Sequence, residues 1–271
     1  MADYILITGG SSGIGAAVAR LASQRGIPVA ITFRSHPNEA AALVAELKAA
    51  GGEAHAFSAD VARESDVVRA FEQADAAFPG RNLAGLVNSA GISAPHGSVT
   101  SFTGDTLAPL FAVNVIGTIV ACREAIKRFD ARPRPGGAIV NVSSMAATIG
   151  GRAGAAAYAA SKAAVDTFTV GLAKEVAARG IRANVVRPGL TKTPMVSATI
   201  AHPEVLATVQ ATIPINRIAS AEEVAYPILW LLSEEASFVT GARLDVSGGG
   251  FVVPGRLGGS ASDAPAIAAG P

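Results

Sequence analysis

The feature that most restricts the fold is an alternation running through the chain: short, apolar, β-branched runs separated by longer helical stretches. Strands are expected at Tyr4–Thr8, Pro28–Phe33, Glu53–Ser58, Ala84–Asn88, Ala138–Ser143, Arg182–Arg187 and Arg243–Val246, with helices near 13–26, 38–50, 63–77, 104–130, 156–179 and 220–233. Runs that are apolar on successive residues suit strands buried on both faces, and strand–helix–strand repetition builds a parallel sheet covered on both sides. The expectation is an α/β fold, a doubly wound parallel sheet of seven strands forming a single domain over residues 1–253. Half of the 271 residues are hydrophobic, enough to fill one large core. Residues 191–215 break the alternation with Pro194, Pro203 and Pro214 and are expected to be an inserted substrate loop. Residues 254–271, mostly Gly, Ala, Ser and Pro, lack the periodicity of a packed element and read as a flexible tail.

The first strand leads into Thr8-Gly9-Gly10-Ser11-Ser12-Gly13-Ile14-Gly15 and then a good helix former, Ala16 to Ala22. Strand, glycine-rich turn and helix together make a phosphate cradle. Glycines let backbone approach an anion, and the helix start offers unpaired N–H groups. The spacing is G-x-x-x-G-x-G rather than the G-x-G-x-x-G dinucleotide fingerprint. A second signal is Tyr158-Ala-Ala-Ser-Lys162 in an alanine-rich helix, where residues four apart share a face. A free tyrosine has a pKa of about 10, and lowering it by ~2–3 units needs roughly 3–4 kcal/mol. A unit charge ~4 Å away at an effective dielectric of ~20 supplies about that much. Lys162 is therefore expected to lower the Tyr158 pKa and make the phenol a general acid or base. In a doubly wound sheet ligands bind beyond the carboxyl ends of the strands, and Gly9–Gly15, Asn88–Gly91, Ser144 and Pro188–Gly189 all fall at such ends.

These motifs, in this order, resemble the short-chain dehydrogenase/reductase family over about residues 3–253. Thr8 to Gly15 is similar to its TGxxxGIG turn, Asn88-Ser89-Ala90-Gly91 to its Asn-Asn-Ala-Gly, and Pro188-Gly189 to its Pro-Gly turn. The resemblance implies a Rossmann-type fold and hydride transfer between a nicotinamide cofactor and a carbonyl or alcohol. It implies catalytic roles for Asn114, Ser144, Tyr158 and Lys162. Tyr158 would exchange the proton and Ser144 would bind the reacting oxygen. Lys162 would hold the nicotinamide ribose, and Asn114 would support Lys162 through its carbonyl and a water. Ser143 is the rival for the serine role. Ser144 stands one residue further from Tyr158 than the family's usual spacing, which would fall on Met145. For the cofactor, the resemblance implies contacts from Gly9, Ser11, Ser12, Gly13, Ile14 and Gly15. Asp60 and Val61 would meet the adenine, and Asn88, Ala90, Gly91, Pro188, Gly189, Leu190 and Thr193 would also bind the cofactor. Dimers or tetramers through the helices near 104–130 and 156–179 are likewise implied, with alanines such as Ala159 and Ala163 allowing close approach.

The end of the second strand selects the cofactor. An NAD site usually places a carboxylate there, whereas Phe33-Arg34-Ser35 offers none. A guanidinium binds a 2′-phosphate through charge-assisted hydrogen bonds, so Arg34 and Ser35 favour NADP(H), with NAD(H) still open because Ser12 is not basic. Ketone reduction is then the favoured direction. Ile92–His96 and Leu190–Met195 are expected to line the substrate pocket. A 3-oxoacyl thioester reductase, a sugar dehydrogenase, a broad carbonyl reductase and a non-catalytic NADPH-binding regulator stay open. Net charge is +1, which gives no polyanion-binding signature and so no nucleic-acid partner. Cys122 is the one cysteine, read as a core residue, and His36, His55, His96 and His202 have no metal-ligand spacing. The apolar run at the N-terminus is too short for a signal or membrane segment, so a cytoplasmic protein is expected.

Overall fold

The computed structural model describes residues 3–93, 97–132, 135–197 and 201–250. The tail at 254–271 and His96 therefore lie outside the described residues. Seven strands, β1 (Tyr4–Thr8), β2 (Val29–Phe33), β3 (Ala54–Ser58), β4 (Leu83–Asn88), β5 (Gly137–Val142), β6 (Ile181–Pro188) and β7 (Arg243–Val246), form one sheet in the order β3-β2-β1-β4-β5-β6-β7. Every pairing is parallel. The register sets Thr8 opposite Asn88 and Asn88 opposite Asn141, so the carboxyl ends of β1, β4 and β5 finish level. Winding reverses between β1 and β4, which opens a crevice at those ends.

Alternation within β1 divides the core. Ile5 and Ile7 pack toward α1 (Gly13–Gln24), α2 (Pro37–Ala49) and the late helix that carries Val224 and Ile228. Tyr4 and Leu6 face the other way, toward α3 (Glu64–Ala77) and the helices that carry Phe129 and Leu172. Both faces of the strand are buried, as the apolar runs require.

The helix expected over 104–130 is three pieces: α4 (Gly104–Phe111), a π-helical turn at Ala112–Ile116, and α5 (Gly117–Asp130). The π turn inserts a residue into the helical ladder and rotates the side chains that follow. Asn114 is thereby turned inward and is 1% exposed. By length and mean hydropathy (27 residues, 1.6) Gly104–Asp130 could cross a membrane, yet Val120, Ala121, Cys122, Ala125 and Phe129 are core residues against the sheet. Further on come α6 (Ala146–Ile149), α7 (Ala156–Val176), α8 (Pro203–Gln210) and α9 (Ala221–Leu232). Within 191–215 the chain makes a 3₁₀ turn at Pro194–Val196 and then α8. A capping box starts α9: Ser220 Oγ accepts from the Glu223 N–H and the Glu223 carboxylate accepts from the Ser220 N–H.

Candidate active site

The crevice at the strand ends is a cleft of about 540 Å³, large enough for a cofactor-sized ligand. Its floor at β1 is the glycine turn. Gly9 has φ 64°, and a Cβ there would come within 2.7 Å of the Ala90 backbone; a Cβ on Gly15 would come within 2.4 Å of the Gly9 carbonyl. Bare backbone is therefore required both to close the turn and to seat α1 on it. Ser11, Ser12, Gly13 and Ile14 line the cleft beside it, with Ala90 and Gly91 from the β4 end and Pro188, Gly189, Leu190 and Thr193 from the β6 end. Arg34, Ser35, Asp60 and Val61 line the far end. Among the described residues the Arg34 guanidinium has no ion-pair or hydrogen-bond partner and is exposed. A bare-backbone turn at a helix start, with an uncommitted guanidinium at the end of the adjacent strand β2, fits a phosphorylated dinucleotide.

Three of the expected residues stand behind the cleft rather than on it. Gly15 packs under Gly9. Asn88 is buried in a polar ladder: it accepts from Thr8 Oγ1 (3.3 Å) and donates to Asn141 Oδ1 (2.9 Å), and Asn141 donates in turn to Thr169 Oγ1 (2.8 Å). These bonds tie β1, β4, β5 and α7 together beneath the floor. Asn114 accepts from the Ile92 N–H (2.9 Å) and donates to the Ile92 carbonyl and Ser161 Oγ (both 3.0 Å), so it pins the β4 loop to α7. Its own carbonyl accepts from Thr118 Oγ1 (2.9 Å). A Cβ at Gly91 would lie 3.4 Å from Asn114 Oδ1 and 3.5 Å from Lys162 Nζ, so glycine leaves amide and ammonium facing one another.

At the cleft's other end sit Ser144, Tyr158 and Lys162. The two serines separate cleanly. Ser143 is buried and donates to the Lys162 carbonyl (3.0 Å), fastening α7 to β5. Ser144 Oγ accepts from the Ala146 N–H (3.1 Å), and its hydroxyl is near enough to the Tyr158 phenol to pull that group's pKa downward. Lys162 behaves differently from its expected role. Its ammonium donates to the Val142 carbonyl (3.0 Å) and lies 5.9 Å from the centre of the Tyr158 ring. Burial raises the Tyr158 pKa, opposed by the Ser144 hydroxyl, so the net shift is upward where a lowering was expected. The reason is desolvation: burial of the phenol disfavours its charged form. Burial likewise takes Lys162 down to about 8, and the carboxylate of Asp166, one turn on, works against that fall.

Sequence reasoning missed Arg152, Met145, Ile149 and Ala155, all cleft-lining residues from the segment leading into α7. Thr191 and Met195 line it as well, within the expected Leu190–Met195, and Val196 follows them. Cys122 is buried and its thiol is pushed up to about 12 by desolvation, a core residue as read.

Fold and site together define an oxidoreductase acting on CH–OH or carbonyl groups, and the chain belongs to the short-chain dehydrogenase/reductase family. Residues 9–250 match the family profile described as enoyl-(acyl carrier protein) reductase. The chain is 43% identical to the uncharacterized oxidoreductase YgfF of Escherichia coli over 245 residues, covering 90% of this chain and 98% of that protein. It is 40% identical to the 3-oxoacyl-[acyl-carrier-protein] reductase of Bos taurus, covering 90% and 95%. A short-chain dehydrogenase from Burkholderia cenocepacia in complex with NADP superposes with a TM-score of 0.83 at 36% identity, covering 92% of this chain and 97% of that one.

Proposed function

We propose that the protein is an NADP(H)-dependent carbonyl reductase in which Tyr158 gives the proton to the reacting oxygen. The observation that carries this reading is that Ser144, Tyr158 and Lys162 line one cleft with Arg34, whose guanidinium has no partner among the described residues. When bound, the nicotinamide supplies the hydride. The chain's own residues manage the proton. Burial keeps Tyr158 protonated through neutral pH, as a donor in the reductive direction must be. Ser144, a short neutral donor, fixes the carbonyl oxygen beside it. Lys162 holds positive charge near the phenolate left after transfer, and Asn114 and Ser161 position α7 for all three. The bovine relative's name and the family profile's description keep a 3-oxoacyl thioester among the substrates to screen. The same reading includes a homo-oligomer, supported by Ile116 and Ile119, which α5 and the π turn leave 55% and 38% exposed.

Two outcomes follow at this site. Arg34→Ala is expected to raise the KM for NADPH by roughly ten- to a hundredfold, the loss of a charge-assisted bond, and that for NADH by less than about twofold. Initial rates with both cofactors check it; equal weakening would contradict the 2′-phosphate assignment. For pH, Lys162 is charged below about 8 and neutral above it. Reduction is therefore expected to hold level up to that point and to fall as pH rises through it, because the cation near the nascent phenolate is lost. A kcat/KM profile level to well above the Lys162 value would refute the role given to that charge.

A further inference from the structure

The substrate end of the cleft carries a guanidinium that the reading above does not use. Arg152 stands in the loop between α6 and α7 and lines the cleft with Ser144 and Tyr158. It has no ion-pair or hydrogen-bond partner for its side chain among the described residues. Asp60 is the one carboxylate among the described residues lining the cleft, and it stands beyond β3, while the first turn of α7 contains no acidic residue. Most arginines elsewhere are committed: Arg20 to Glu46, Arg123 and Arg128 to Glu124, Arg187 to Asp166, Arg217 to Glu223.

The loop that presents Arg152 is shaped rather than loose. Gly150, Gly151 and Gly154 take φ of 77°, 77° and 84°. The Ala155 N–H donates to the Arg152 carbonyl (2.9 Å), and the Gly97 N–H donates to the Gly154 carbonyl (3.2 Å). Arg152 is also remote from the phosphate end. Arg34 follows β2, and the Arg152 loop follows β5, strands whose ends stand about three spacings or ~14 Å apart, with β1 and β4 between. The apolar lining of the cleft includes Met145, Ile149 and Ala155, from the same segment as Arg152, together with Ile92 and Met195.

We infer that Arg152 is an anion subsite for the substrate, and that the ketone the enzyme takes is an oxo acid with an apolar body and a free carboxylate. This rests on the reductase reading and names the substrate class for it. A guanidinium with open donors recognises a carboxylate by paired, charge-assisted hydrogen bonds. The apolar wall takes the carbon skeleton, and Ser144 and Tyr158 take the carbonyl.

The test uses a cyclohexanone bearing a carboxylate at the ring position opposite the ketone, beside its neutral primary amide. The wild type is expected to prefer the acid by about tenfold or more in kcat/KM, the preference shrinking as salt is raised. Arg152→Gln is expected to bring the ratio of acid to amide to about one, and Arg152→Lys to keep part of it. Calorimetric binding of cyclohexanecarboxylate, which has no carbonyl to reduce, to the NADP-loaded protein should be lost in Arg152→Gln. A ratio near one in the wild type, an unchanged ratio in Arg152→Gln, or an effect confined to the KM for NADPH would overturn the proposal. If neither ketone is reduced while carboxylate binding still depends on Arg152, the reductase reading fails and the anion subsite stands.

Discussion

Replacing Tyr158 with phenylalanine is expected to lower kcat for ketone reduction by roughly 10²–10⁴-fold, the usual worth of a positioned proton donor. The substitution removes one oxygen and leaves the ring, which is the part that fills space beside the Lys162 ammonium. Cofactor binding should therefore change little, because the glycine turn, Arg34 and the Pro188–Thr193 segment are untouched. The loss belongs in kcat rather than in the KM for NADPH, since the donor acts in the transition state. Fluorescence titration with NADPH beside steady-state rates separates the two. Turnover within a few fold of wild type would remove Tyr158 from the proton path. Ser144→Ala should fall in the same direction, since Ser144 both stands near the phenol and faces the same cleft.

The largest stability effect is expected away from the cleft surface, at Asp166. Its Oδ2 accepts from Arg187 Nε at 2.7 Å, both side chains are nearly out of solvent at 7% and 13% exposure, and its Oδ1 has no partner. Arg187 keeps a second contact, to Asp245 at 3.2 Å, at the half-exposed edge of the sheet. Asp166→Ala would leave the guanidinium buried with only that weaker neighbour, a change of the kind that costs about 3–5 kcal/mol. Denaturant unfolding should show the midpoint falling with the slope unchanged. A loss under about 1 kcal/mol would mean that Asp245 or solvent compensates. Replacing both partners, Asp166→Leu with Arg187→Met, should recover much of the loss, because burying neither charge avoids both desolvation costs. Asp166 also opposes the fall in the Lys162 pKa, so the single variant should move the high-pH limb of activity to lower pH.

Much of this was legible because the chemistry sits at strand ends, where residue type is tied to backbone need. Gly9 and Gly15 are glycine because a Cβ would strike neighbouring backbone, so the turn announces itself in sequence. The parallel sheet followed from runs buried on both faces, as in β1. The π turn at Ala112–Ile116 was not legible, since its flanks keep helical periodicity and the extra residue leaves no compositional trace. The Asn88–Asn141–Thr169 ladder depends on β4 lying beside β5, which sequence order alone does not reveal for each pair of side chains. Four-residue spacing correctly put Tyr158 and Lys162 on one helical face, but said nothing of where the ammonium points. Its partner, the Val142 carbonyl, is 20 residues away on another element, and burial of the phenol reverses the expected direction of the tyrosine's pKa. Arg152 was hidden in a glycine- and alanine-rich loop that reads as a plain connection.

The central claim is that one side chain gives the proton while the nicotinamide gives the hydride to the same carbonyl within this cleft. The most direct measurement follows deuterium from NADPH labelled at its transferable position into the alcohol product by mass spectrometry, in wild type and in Tyr158→Phe. The account predicts label on the carbinol carbon with the wild type and almost none formed in the same time by the variant. Alcohol lacking the label, or labelled alcohol formed equally fast by Tyr158→Phe, would contradict it.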